Sequence, residues 1–81
     1  MSNVSQVTQE NGQISVFVNG VERQIAPGLT VAALLGSLGI EQGRVAVERN
    51  GLIVKRETWG VTGIQPGDQL EIVHFVGGGS R

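Results

Sequence analysis

The residues best suited to chemistry lie near the C-terminus, where Val76 is followed by Gly77, Gly78 and Gly79. Glycine has no Cβ, so consecutive glycines can enter a channel too narrow for any side chain. Three extended residues reach roughly 10 Å. Such an arm can present a terminal carboxylate to the buried active site of another enzyme while the folded body stays outside. The pattern therefore predicts chemistry on the main chain rather than on a side chain.

The composition excludes several kinds of function. The chain has 81 residues, which is room for one domain with one small core. It has no cysteine, which excludes disulfides, thiolate catalysis and cysteine-ligated metals. The one histidine, His74, has too few neighbours to form a metal site. We therefore predict no catalytic residue, no metal and no bound cofactor.

The charge and the apolar pattern exclude two further classes of partner. Six Lys and Arg stand against seven Asp and Glu, without the basic stripe that a phosphate backbone requires. No apolar run approaches the ~18 residues of a membrane span, and the N-terminus does not have the pattern of a signal peptide. We expect a soluble cytoplasmic protein that binds neither nucleic acid nor a membrane.

The first half of the domain is predicted to be a hairpin followed by a helix. Residues 1–12 are polar and are expected to be a flexible leader. Alternating apolar residues predict a strand from Ile14 to Val18, and Asn19-Gly20 predicts a type I′ turn into a second strand, about 21–25. Thr30 is placed as the N-cap of a helix whose stop is Gly39. The apolar stripe of this helix is formed by Val31, Leu34, Leu35 and Leu38.

The second half is predicted to be another hairpin and a late, central strand. Val45 and Val47 alternate with polar or small residues before a second turn at Asn50-Gly51, and both Asn-Gly pairs are assigned to turn geometry alone. Trp59 lies in an irregular stretch and is expected to cap the core. The last strand, 69–76, is apolar on both faces toward its end. This order predicts an α+β fold, the ubiquitin-like β-grasp, with a mixed sheet of four to five strands and one main helix on one face. The domain is expected over residues 13–76, followed by a flexible tail, 77–81.

Four segments carry a resemblance to a known family. The chain is similar, over roughly residues 14–79, to the ThiS family of sulfur carriers in thiamine biosynthesis. The ending His-Phe-Val-Gly-Gly-Gly and the order of the four segments are specific, whereas a single Asn-Gly or Pro-Gly is not. The segments are Phe17-Val18-Asn19-Gly20, Pro27-Gly28-Leu29-Thr30-Val31, Val45-Ala46-Val47-Glu48-Arg49-Asn50-Gly51 and the run from Gly67 to Gly79.

The resemblance implies a carrier that is modified at Gly79, with Gly77 and Gly78 as the part of the tail that enters a partner's active site. A ThiF-like activating enzyme would use ATP to adenylate Gly79. A cysteine desulfurase or rhodanese-type donor would then supply sulfur to form a thiocarboxylate, which thiazole synthase would consume. A carrier must free its tail, so we expect a monomer. The requirement for activation agrees with residue chemistry, because a carboxylate is an anion at neutral pH and a poor electrophile.

The chain departs from the family pattern at its end, since Ser80-Arg81 follows the glycine that the family usually exposes. Two side-chain-bearing residues lengthen the arm by roughly 7 Å and would not pass a glycine-width channel. Our hypothesis is that a processing protease removes Ser80-Arg81. The rival interpretation is that the extension blocks function.

The sequence also offers two sets of residues as candidates for contact between the folded domain and a partner. Arg49, Lys55 and Arg56 form a loose basic group around the second hairpin, beside an apolar sheet face. The residues where the last strand leaves the domain are the other candidates for partner contact: His74, Phe75 and Val76.

Other functions remain open at this point. The chain could carry sulfur for cysteine, methionine or a siderophore. It could be a ubiquitin-like modifier that forms isopeptide bonds, since this also begins with adenylation. It could also be a β-grasp interaction module with an inert tail, because Gly77-Gly78-Gly79-Ser80 has the composition of a flexible linker.

Overall fold

The computed structural model describes residues 12–75. The predictions for the leader before Gly12, for Val76 and for the tail 77–81 lie outside these residues. The proposed domain bounds therefore remain predictions. The last strand ends at His74, so its predicted extent to residue 76 was wrong at Phe75.

Five strands form one mixed sheet. The strands are β1 (Ile14–Val18), β2 (Val21–Ile25), β3 (Val45–Arg49), β4 (Leu52–Ile53) and β5 (Gln69–His74). Their spatial order is β2-β1-β5-β3-β4, so the last strand lies in the centre. It runs parallel to β1 and antiparallel to β3. The structure confirms the β-grasp arrangement, including the two hairpins and the central final strand.

The helix α1 (Val31–Ser37) lies on one face of the sheet and begins where the sequence predicts. The Thr30 hydroxyl oxygen accepts a hydrogen bond from the Ala33 N–H at 3.1 Å, which satisfies one of the unpaired donors of the first turn. The chain leaves the helix through Gly39, whose φ of 73° is in the left-handed region that favours glycine.

The core lies between α1 and the face of the sheet that the helix covers. The alternating residues of the strands and the helix stripe predicted from sequence are buried there, with Leu38 only partly buried. Trp59 is 2% exposed, and its indole N–H donates to the Val54 carbonyl at 2.9 Å. The prediction that Trp59 caps the core is thus confirmed. The buried residues are Ile14, Val16, Val18, Ile25, Val31, Leu34, Leu35, Val45, Val47, Trp59, Ile64, Leu70 and Ile72.

Within residues 12–75, no helix is long and apolar enough to cross a membrane.

Replacing the helix cap gives a test of this local analysis. We expect Thr30→Ala to lower the free energy of unfolding by about 1 kcal/mol, because the Ala33 N–H loses its acceptor. Thr30→Ser keeps a hydroxyl and should stay close to the wild type. Urea denaturation measures both, and an unchanged midpoint in Thr30→Ala would show that the cap contributes nothing.

Candidate functional site

The candidate site is the strand that leads into the tail. Along β5, Leu70 and Ile72 point into the core and are 2% and 5% exposed. The alternate residues point to the opposite, uncovered face, where Val73 and, just beyond the strand, Phe75 are each 54% exposed. The tail thus follows a strand that is anchored on one face and open on the other.

The first Asn-Gly turn contacts this strand directly. Asn19 and Gly20 have φ values of 51° and 83°, which confirms the predicted turn. The Asn19 side chain also bonds to both main-chain groups of Ile72. Its Oδ1 accepts from the Ile72 N–H at 2.7 Å, and its Nδ2 donates to the Ile72 carbonyl at 3.2 Å. The assignment of Asn19 to turn geometry alone was therefore wrong.

The second Asn-Gly turn contacts the other edge of β5. Asn50 has a φ of 53° and Gly51 a φ of 85°, as the turn requires. The Asn50 Oδ1 accepts from the Gln69 N–H at 2.9 Å, while its own N–H donates to the Gln69 carbonyl at 2.7 Å. Its Nδ2 donates to the Asp68 carboxylate at 3.0 Å. For Asn50 too, turn geometry was an incomplete assignment.

Asp68 lies directly before β5 and is the one buried polar or charged residue among residues 12–75, at 5% exposure. Besides Asn50, it accepts from the Arg49 Nε at 2.7 Å and from the Gln65 N–H at 2.8 Å. Burial alone would raise the pKa of Asp68. The three hydrogen bonds and the charge of Arg49 outweigh burial, so the pKa lies below its usual value.

The predicted basic group is largely engaged within the domain. Arg49 pairs with Asp68. The Arg56 guanidinium donates to the Gln42 and Val45 carbonyls and lies 4.6 Å from the centre of the Trp59 ring. Lys55 is exposed. These contacts give Arg49 and Arg56 structural roles that the sequence did not indicate, and a docking role for the three residues remains a prediction.

The face of the sheet opposite α1 combines apolar and acidic side chains. Ala46 lies opposite Val73, and Glu48 lies directly opposite Glu71 across β3 and β5. Like charges in such cross-strand pairs destabilise a sheet, so this pair does not serve stability. We call this surface the open face; its residues are Phe17, Ala46, Glu48, Ile53, Glu71, Val73 and Phe75.

His74 is exposed at the end of β5, opposite Val45. Phe75 is the next residue, and its N–H donates to the Arg44 carbonyl at 2.9 Å. Both therefore lie where the chain leaves the sheet, as the sequence predicts, and their contact with a partner remains a prediction. In the part of the chain that the structure describes, no group of three or more His, Asp or Glu side chains could hold a metal ion.

Comparisons with known proteins cover most of the chain. The model of the ThiS family matches residues 11–79. The sulfur carrier protein ThiS of Escherichia coli is 35% identical over 66 residues, which cover 82% of this chain and 100% of that protein. The crystal structure of the thiamine biosynthesis protein ThiS from Geobacter metallireducens matches with a TM-score of 0.72 and 36% identity, covering 82% of this chain and 100% of that one.

A longer protein is also similar. A thiazole synthase from Paramagnetospirillum magneticum is 46% identical over 67 residues, which are 83% of this chain. These residues are only 21% of that protein, so this chain spans about a fifth of its length.

The pH dependence of stability tests the Asp68 contacts. Because the pKa of folded Asp68 lies below its ordinary value of 3.8, its ionised form stabilises the fold above that value, and this contribution is lost as the pH falls through the folded pKa. We expect the wild type to be more stable than Asp68→Asn above the ordinary Asp pKa of 3.8, with a difference that shrinks as the pH falls below that value.

Urea unfolding across this range makes the measurement. Glu41→Gln, which alters an exposed carboxylate 3.5 Å from Arg44, is the control and should show little pH-dependent difference. A difference between the wild type and Asp68→Asn that stays constant with pH would contradict the assignment.

Proposed function

Because this chain belongs to the ThiS family, we propose that it carries sulfur for thiazole formation in thiamine biosynthesis, with Gly79 as the residue that holds the sulfur. The observation that carries the proposal is the match of the family model, which runs through the whole described domain and ends at residue 79. In the sequence, the central strand ends at His74, five positions before that residue. The chain acts as a co-substrate, and partner enzymes perform the chemistry.

The proposed reaction begins with activation of the carboxylate of Gly79. A carboxylate oxygen attacks the α-phosphorus of ATP in a ThiF-like enzyme, and pyrophosphate leaves. The persulfide of a cysteine desulfurase or rhodanese-type donor then attacks the acyl carbon, and AMP leaves. A second thiol then attacks the donor's cysteine sulfur in the resulting acyl disulfide. These two sulfurs form a new disulfide, and the other sulfur stays on Gly79 as a thiocarboxylate.

Thiazole synthase is the proposed acceptor of this sulfur. The similarity to part of a longer thiazole synthase supports the assignment, because a carrier-like segment and that enzyme share one chain in the relative. The same similarity favours thiamine over other sulfur pathways and over isopeptide formation.

The open face is the proposed docking surface for the activating enzyme. Val73 and Phe75 are exposed apolar groups next to the tail, and Glu48 and Glu71 add negative charge beside them. A partner surface with an apolar centre and basic edges would complement this face. Docking there brings the tail close to the partner's active site.

Intact mass spectrometry tests the function. The chain ending at Gly79 is incubated with the activating enzyme, ATP and a persulfide donor, and we expect sulfur to replace one terminal oxygen. Transfer of labelled sulfur to thiazole by added thiazole synthase would complete the assignment. Label in a different product, or conjugates of higher mass in cells, would instead support another pathway or a modifier.

Removal of Ser80-Arg81 is a separate prediction. We expect a chain that ends at Arg81 to be adenylated at least about 100-fold more slowly than the chain ending at Gly79, since its terminal carboxylate lies on the wrong residue. ATP–pyrophosphate exchange measures both rates. Gly78→Ala in the shorter chain should fold normally and lose acceptance, because its methyl group would obstruct a glycine-width channel. Equal rates for the chains ending at Arg81 and at Gly79 would refute the trimming hypothesis.

Loss of an exposed aromatic ring tests the docking surface. We expect Phe75→Ala, in the chain ending at Gly79, to raise the KM for the activating enzyme by about tenfold, the effect of losing a strong interface contact. Val61→Ala is the matched control, because Val61 is 82% exposed and lies outside the open face. Thermal unfolding should change little for either variant. Equal KM values for the two variants would exclude Phe75 from the interface.

A further inference from the structure

The Asn19 side chain replaces a main-chain group that the turn removes from the sheet. Only two Cα pairs join β1 to β5, namely Phe17 with Gln69 and Val18 with Leu70. The Asn19 N–H extends this ladder by donating to the Leu70 carbonyl at 2.8 Å. In a regular parallel ladder, the Asn19 carbonyl would next accept from the Ile72 N–H. At a φ of 51° the chain turns away, and Oδ1 takes that place at 2.7 Å.

Asn50 makes the same replacement on the other edge. The register of β3 with β5 ends at Arg49 and Leu70, which makes Gln69 the next partner of Asn50. Two such residues would exchange both main-chain hydrogen bonds in a regular antiparallel ladder. The Asn50 N–H makes its bond, at 2.7 Å, but the turn removes its carbonyl. The side-chain Oδ1 accepts from Gln69 instead, at 2.9 Å.

We propose that Asn19 and Asn50 are positioning residues that fix the register of β5 from both edges and thereby set where the tail leaves the domain. A strand that slips by one residue moves every side chain to the opposite face. Such a slip would carry Phe75 and the tail with it, away from a docked partner's active site. The inference rests on the proposed function, because positioning matters only if a partner must receive the tail.

The residue type supports this role. Glycine would adopt the turn at both positions at least as readily, but it has no side-chain oxygen that could accept the next hydrogen bond of the ladder. Aspartate would supply an acceptor without the Nδ2 donor that reaches the Ile72 carbonyl. Asparagine meets both requirements and also tolerates a positive φ.

The test uses the chain ending at Gly79 with Asn19→Gly, Asn50→Gly and Asn19→Asp. Thr30→Ala is the control, because it removes a helix cap whose hydroxyl bonds to Ala33 in α1 rather than to β5. Amide hydrogen exchange by NMR measures the protection of the hydrogen bonds along β5. The KM for the activating enzyme measures how well the enzyme accepts the tail. We expect Ile72 in Asn19→Gly, and Gln69 in Asn50→Gly, to exchange about five- to tenfold faster than in Thr30→Ala. The KM should rise about tenfold, with kcat less affected.

Rescue separates positioning from loss of stability. Asn19→Asp retains the acceptor, so Ile72 should exchange slowly again and the KM should fall most of the way back to that of the unsubstituted chain. If Asn50→Gly does not fold, the comparison of Asn19→Gly with Asn19→Asp still makes the test. A KM in both glycine variants equal to that of Thr30→Ala would overturn the inference, as would unchanged exchange at Ile72 and Gln69. If the unaltered chain ending at Gly79 is never adenylated, the proposed function itself fails, which is a different result from acceptance of every variant.

Discussion

A strand in the centre of a sheet must find hydrogen-bond partners along both edges, and this requirement at β5 shapes the rest of the molecule. On one edge β3 supplies five Cα pairs, whereas on the other β1 supplies two. The shorter edge is completed by a side chain from the turn that ends β1. Because Leu70 and Ile72 also anchor the core, the strand nearest the tail is among the most firmly held parts of the domain. If the tail enters an enzyme, as proposed, a firmly held β5 is an advantage, because the domain then presents the tail from a constant position.

The two faces of the sheet have different roles. One face and α1 bury the side chains that stabilise the fold, while the opposite face keeps Val73, Phe75, Glu48 and Glu71 in contact with solvent. The facing glutamates weaken the sheet where a neutral pair would not. A charge pair kept at a cost in stability is consistent with the docking role proposed for this face. By contrast, the Arg49 charge is paired inside the domain, where it helps to hold the start of β5.

Local sequence signals predicted the local structure well. The positive φ values at both Asn-Gly pairs, the Thr30 cap and the burial of Trp59 each follow from a few neighbouring residues. The contacts of Asp68 with Arg49 and Asn50 join residues 19 and 18 positions apart, and no local pattern specifies such a pairing. The side-chain bonds of Asn19 also depend on which strand becomes its neighbour, so they could be found only from the structure. The tail glycines were identified by composition and resemblance alone.

The Asn-Gly turns are also potential sites of deamidation. When glycine follows asparagine, the glycine main-chain nitrogen can attack the asparagine side-chain carbonyl with little steric hindrance, which releases ammonia and forms a cyclic imide. Water then opens the imide to aspartate or isoaspartate. The Asn50 side-chain nitrogen, Nδ2, which this reaction would remove, is 3.0 Å from the Asp68 carboxylate. Deamidation there would turn an attraction into a repulsion between two carboxylates in a partly buried site. Such a change at Asn50 would loosen the start of β5, because the Asp68 carboxylate would lose one of its donors.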